Sequence, residues 1–190
     1  MYAPVLVTPP ADLLDRETVK AHLRLDGSDE DGLVDGLIAA ATTHLDGYSG
    51  VLGRALVTQT WQVSVDDFDR CIRLPMPAST IASVKWRNEA GQLATVAGAD
   101  YDLRTDARGS YLRFKDDYSY PTDLAETQAV AVEFTAGYGT PDQVPAAIRQ
   151  AALLLVGHWY ANREAVNVGN ITTALPFAVE ALLAPFRRTA

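Results

Sequence analysis

The chain has 190 residues, enough for one large domain or two small ones. Its 48% hydrophobic and 21% charged content is that of an ordinary globular protein with a sizeable core. A formal net charge of −8 argues against a basic surface for gripping duplex DNA, since neutralising phosphates takes clustered Lys and Arg. The single cysteine, Cys71, and three scattered histidines exclude an intramolecular disulfide and give no zinc-ligand spacing.

The opening ten residues contain Pro4, Pro9 and Pro10 and read as an extended arm. They lack the basic stretch and long apolar run of a signal peptide. Asp15 is placed to cap a short helix over Arg16–Leu25, with Val19 and Leu23, and less clearly His22, on its buried side. Asp26-Gly27 breaks the chain. Ser28-Asp-Glu-Asp31 then resembles a capping box, with Asp where Glu or Gln is usual. Leu33, Val34, Leu37, Ile38, Ala41, Leu45 and Tyr48 follow at helical spacing.

The period changes at Val57. Val57, Trp61, Val63 and Val65 alternate with polar residues, as in a half-buried strand. Ile72–Leu74, the alternating Ala82, Val84 and Trp86, Gln92–Val96, Tyr101–Arg104, Tyr111–Phe114 and the alternating Val130, Val132 and Phe134 continue the pattern. Asn88–Gly91 makes a hairpin loop. Short strands with turn signals at this spacing predict an antiparallel sheet or small barrel. Helices flank it in sequence, which argues α+β over a parallel α/β sheet.

The most apolar stretch is Val144–Arg163. Pro145 suits a first helical turn, and Ile148, Ala152, Leu155, Val156, Trp159 and Tyr160 share one face. Leu153 and Leu154 lie off that face, so the helix needs cover on more than one side. Within it the most apolar run, Ala146–Ala161, is interrupted by Arg149, Gln150 and His158 and is shorter than the ~20 residues of a membrane span. Gly157 in the interior, at a cost of roughly 1 kcal/mol relative to Ala, hints at close approach of another backbone. A polar link, Asn162–Thr173, leads to an amphipathic end carrying Leu175, Val179, Leu182, Leu183 and Phe186, then Arg187 and Arg188. The organisation predicted is residues 1–54 as arm and helices, 55–136 as a β insertion, and 137–190 as helices and tail completing a helical core.

Chemistry is thinly represented. His158 shares a helix face with Asn162 and Arg163, but no nucleophile elbow or activated-cysteine pattern accompanies it. Packing is the expected role of such a lone histidine. His22 and His44 fall on other helices and make no metal set. Gly137-Tyr-Gly139 lacks the third glycine of a dinucleotide fingerprint, and Pro141 and Pro145 delay the helix, so a strand-end turn is the better reading. Asp66-Asp67 and Asp116-Asp117 read as turn carboxylates. Lys85, Arg87, Arg104, Arg108, Arg113 and Lys115 are interleaved with acids, as on a mixed solvated face. The residues point to no catalytic, cofactor or metal site.

Taken together, Val19–Leu25 with its acidic linker, Leu37–Ala41, Gln59-Thr-Trp61, Ile72–Pro75, Ala136–Gly139, Val144–Ile148, His158–Ala165 and Leu175-Pro176 resemble, in order and spacing, the head–tail connector (adaptor) proteins of tailed phages, prophages and gene transfer agents. The resemblance implies a helical core with a β insertion and a structural role without cofactor. It implies a dodecameric ring of copies of this chain bound to the portal protein, receiving a tail or stopper protein, with DNA passing through unread. It places the protein in the bacterial cytoplasm during assembly and then in the particle's neck. By the same resemblance Leu175, Val179, Leu182, Leu183, Phe186, Arg187 and Arg188 are candidates for contact with the portal or a neighbour. Leu37, Ile38, Leu155, Trp159 and Tyr160 are the expected helix-packing residues. The alternative is a small cytoplasmic enzyme or ligand-binding module using the β region and His158.

Overall fold

Strong alternation forms strands here, and four of them are joined by a strand that the alternation did not announce. The computed structural model describes residues 1–163 and 177–188. Its strands, in chain order, are β1 (Val5–Thr8), β2 (Gln59–Val65), β3 (Cys71–Arg73), β4 (Ala78–Arg87), β5 (Leu93–Thr95), β6 (Tyr101–Asp106), β7 (Gly109–Phe114) and β8 (Val130–Ala136). The α-helices are α1 (Arg16–Leu23), α2 (Asp31–Leu45), α3 (Ala146–Ala161) and α4 (Phe177–Leu183). The protein is α+β, with two antiparallel sheets ordered β1-β2-β8-β4-β5 and β3-β7-β6; neither order closes into a barrel.

The chain divides into two compact units, one of residues 1–10 and 58–137, the other of 11–57 and 138–190. The expected grouping of the arm with the helices is therefore corrected: β1 pairs with β2, Val5 opposite Gln62 and Leu6 opposite Trp61. Prolines on either side hid it as a strand, because proline removes a donor but leaves the residues between free to pair.

In the β unit the centre is β8, buried at every second position from Val130 to Ala136. It pairs with β2 on one side and β4 on the other, placing Val132 opposite both Val63 and Val84. These three are buried, as are Phe134, Leu112 and Phe114. Gln59 is buried too, and its side-chain carbonyl accepts the Trp61 indole N–H at 2.9 Å, as a buried polar group requires. Phe114 stacks on Tyr118, with centroids 5.1 Å apart, and meets Phe68 and Tyr120 edge-on.

In the helical unit Asp15 caps α1 as its position predicts, accepting the Thr18 N–H at 2.8 Å and the Thr18 hydroxyl at 2.6 Å. The helix ends at Leu23, two residues early, because Arg24 turns left-handed at φ 58°. His22 lies exposed. Helix α2 starts at Asp31 behind Glu30, not at Ser28, and no side chain caps it. Its buried stripe is Val34, Ile38, Ala41 and Leu45, a strict four-three-four spacing. Leu33 is one position off that stripe and Tyr48 lies past the helix end, which leaves them 37% and 48% exposed. Helix α3 buries Ile148, Ala151, Ala152, Leu155 and Val156, with Pro145 just ahead of it as N-cap. Leu13, Leu14, Leu52, Leu56 and Val144 fill the same core.

Candidate assembly surfaces

Tyr160 and Arg163, within the stretch His158–Arg163, meet on the carboxylate of Glu30, a residue inside the expected capping box Ser28–Asp31. Glu30, just ahead of α2, accepts the Tyr160 hydroxyl, and its other oxygen accepts from Arg163 at 2.7 Å. Arg163 also lies over the Tyr160 ring, 4.5 Å from its centroid. The Tyr160 hydroxyl first, and Arg163 second, hold the Glu30 carboxyl below its ordinary pKa; the same bond raises Tyr160. One position earlier, Trp159 meets His44 of α2 edge-on at 6.1 Å. The Glu30 bonds tie the end of α3 to the start of α2, and the Trp159–His44 contact ties it to the last turn of α2.

A second staple joins α1 to α2. Arg16 donates to Asp35 at 2.7 Å and to Asp31 at 3.2 Å, while Lys20 donates to Asp31 at 2.8 Å and to the Gly27 carbonyl. Arg16 holds Asp35 below its usual range. At Gly157, α3 is approached by the His22 ring of α1; a Cβ there would sit 3.3 Å from Nε2. The glycine thus faces a side chain, not the backbone expected from sequence.

Leu37 is half-buried, Ile38 and Leu155 are buried, and Trp159 and Tyr160 are half-buried. Leu154 packs against the core, and Leu153, also half-buried, lines a groove of about 960 Å³ with Leu14, Arg16, Ile38, Asp142 and Arg149.

The tail candidates divide. Leu175 lies outside the described residues. Val179 and Leu183, expected as partner contacts, are fully buried in this chain's own core, because α4 docks on the helical unit through them. Leu182 and Phe186 pack partly against that core, Arg187 is exposed, and the Arg188 N–H donates to the Leu52 carbonyl at 3.2 Å. The large apolar side chain that α4 leaves out is Phe177, 85% exposed. Helical spacing alone could not sort these, since it does not say which face of a seven-residue helix is taken.

Among the described residues no catalytic constellation accompanies these surfaces. His158 has the Asn162 amide 3.4 Å from Nδ1, and among the described residues no acid or nucleophile is placed on it. The described residues also hold no cluster of three His, Cys, Asp or Glu side chains fit for a metal ion. At Gly137-Tyr-Gly139 both glycines take positive φ, and the Gln143 side chain turns back to accept the Thr140 N–H at 2.8 Å. Gln143 occupies the space over Gly139, so this is a turn. Asp66 accepts from the Tyr2 hydroxyl and the Gln128 N–H, both at 2.8 Å. Asp116 is held by Arg70 and Arg113. Arg73 grips Asp106 through two bonds of 2.6 Å, which lower its pKa to about 2. Each acid in these groups serves structure.

The described residues thus carry stapled helices, a sheet with two outer strands and an exposed Phe177 on α4, and no chemistry gathered on them. The family follows from the sequence as a whole: residues 12–189 match the profile of the head completion proteins, and the chain belongs to that structural family. The fold is shared with particle components. One is a chain of the "Neck of empty GTA particle computed with C6 symmetry", 24% identical, with TM-score 0.79, covering 100% of this chain and 97% of that one. Another is a chain of the "Virion of native gene transfer agent (GTA) particle", 22% identical, with TM-score 0.73 over 100% and 97%. A third, from the "Neck of native GTA particle computed with C12 symmetry", is 21% identical, with TM-score 0.70 over 98% and 96%. No curated protein matches the chain. Membership of the head completion family bears out the head–tail connector resemblance, and the likeness to neck chains agrees with it.

Proposed function

We propose that this chain is one subunit of a closed ring in the neck of a phage-like particle. The ring sits on the portal, extends the DNA channel and receives the tail or its stopper. The observation that carries this reading is the family match over residues 12–189. Full-length likeness to chains of necks described with C6 and C12 symmetry supports the ring. The net charge of −8 suits a conduit, because like charge keeps DNA from adhering. In this reading the helical unit is the core that meets its neighbours, the β unit is an insertion in it, and copies accumulate in the host cytoplasm before they join the head.

The docked α4 narrows the portal-facing candidates to residues on its outer side. Phe177 and Arg187 are accessible as the unit stands, whereas Val179 and Leu183 reach a partner only if α4 leaves the core. Mixing the protein with portal-bearing heads that lack it, and imaging them by electron microscopy, tests the proposal. A ring beneath each portal is the expected result; heads left bare at every protein concentration refute it.

A further inference from the structure

The five-stranded sheet ends on β1 at one side and on β5 at the other. An outer strand presents unpaired N–H and C=O groups, a template for another strand, and proteins usually guard such edges with charge. Neither edge is guarded here by charge. No Asp, Glu, Lys or Arg stands between Met1 and Ala11, nor between Gly91 and Ala99. In a chain with 21% charged residues, two uncharged runs that coincide with the two sheet edges form a pattern.

Burial strengthens it. Val5, Leu6 and Val7 of β1 are 62%, 41% and 47% exposed, and Leu93 of β5 is 73% exposed. Every residue of β1 is exposed, so its pairing with β2 fixes the backbone while both faces of the strand stay uncovered. Pro4 and Pro9 confine the free edge to Val5–Thr8 without removing the N–H groups in between.

We infer that β1 of one copy pairs with β5 of the next, carrying the sheet from subunit to subunit; this rests on the ring reading proposed above. A ring needs two different surfaces that fit each other, since a patch that fits only itself stops at a dimer. The two edges are such a pair. Neighbours in the sheet are all antiparallel, so across five strands β1 and β5 run in the same direction. A twelve-fold operator turns each copy by about 30°, so the sense of the strands is kept from one copy to the next and the new pair is parallel. Strands of four and three residues make few hydrogen bonds. The contact is therefore weak between two free copies and gains from ring closure, where each pairing is effectively intramolecular.

The test uses the full chain with Cys71, which is exposed, replaced by serine, and with Val7→Cys and Ala94→Cys introduced singly and together. Each protein is treated with a short bismaleimide, alone and on portal-bearing heads. The expected result is a ladder of cross-linked oligomers up to the full ring with both cysteines, and none with either alone. In parallel, Val5→Lys and Leu93→Lys, both at exposed positions, should each lower ring yield at least tenfold while leaving the circular dichroism spectrum unchanged. Cross-linked dimers from Val7→Cys alone would mean that the edge pairs with itself and would overturn the inference. Intact rings by electron microscopy with no ladder, or ring yields unmoved by both lysines, would overturn it and leave the ring reading standing. Neither rings nor ladder on portal-bearing heads would overturn both.

Discussion

Glu30 shows how one side chain sets a local fold. It stands where a helix cap was expected, yet it serves Tyr160 and Arg163, more than a hundred positions on. Its carboxyl pKa is lowered in the folded protein, so its contribution is present above the unfolded value of about 4.3 and is lost as pH falls through the lower folded value. Thermal melts should show Glu30→Gln less stable than the parent at pH 7, with the gap narrowing as the pH is lowered below the ordinary carboxylate range; a gap that does not narrow on acidification would mean that charge is not the cause. At Gly157 two effects compete. Alanine gains up to about 1 kcal/mol of helix propensity, while its Cβ would press on His22 Nε2 from 3.3 Å. His22 is exposed and its ring is the far end of a movable side chain, so propensity wins. Gly157→Ala should raise stability by ~0.5–1 kcal/mol in urea denaturation.

At the scale of elements, the tail helix has two faces with different work. Leu183 is fully buried in the helical unit, so Leu183→Ala should cost about 2–5 kcal/mol. Phe177 is 85% exposed, so Phe177→Ala should change stability by less than about 0.5 kcal/mol. If the outer face of α4 meets the portal, Phe177→Ala lowers occupancy of portal-bearing heads with its melting point intact. A Leu183→Ala variant as stable as the parent would show that α4 is not held where the structure docks it. The elements themselves were largely legible. The alternation of Val130, Val132 and Phe134 and the three-four spacing of Ile148, Ala152 and Leu155 each mark one buried face, because a strand repeats at two and a helix near 3.6. Where the reading slipped at β1, local signals were overruled by a partner distant in sequence, the strand β2.

For the whole molecule, the family is written along the chain but no single motif carries it. The profile match spans residues 12–189, and likeness to chains of neck and virion structures at 21–24% identity covers 98–100% of the chain. Such a fold survives wide substitution because packing demands apolar side chains of fitting volume at given positions, not particular ones. The ring predicted on portal-bearing heads belongs to this scale, since no one residue of an isolated copy encodes closure; it arises when two different surfaces recur around an axis.

By itself the sequence determined the α+β class, the buried faces of β8 and α3, the absence of a recognisable catalytic or metal pattern, and the connector resemblance. These rest on periodicity, composition and order, which are properties of a line of residues. Tertiary structure alone decided that the proline-bracketed arm is an edge strand, that Glu30 belongs to Tyr160 and Arg163, and that α4 spends Val179 and Leu183 on its own core. Each of those depends on a partner far along the chain, and the free energy of meeting it is invisible in any local window.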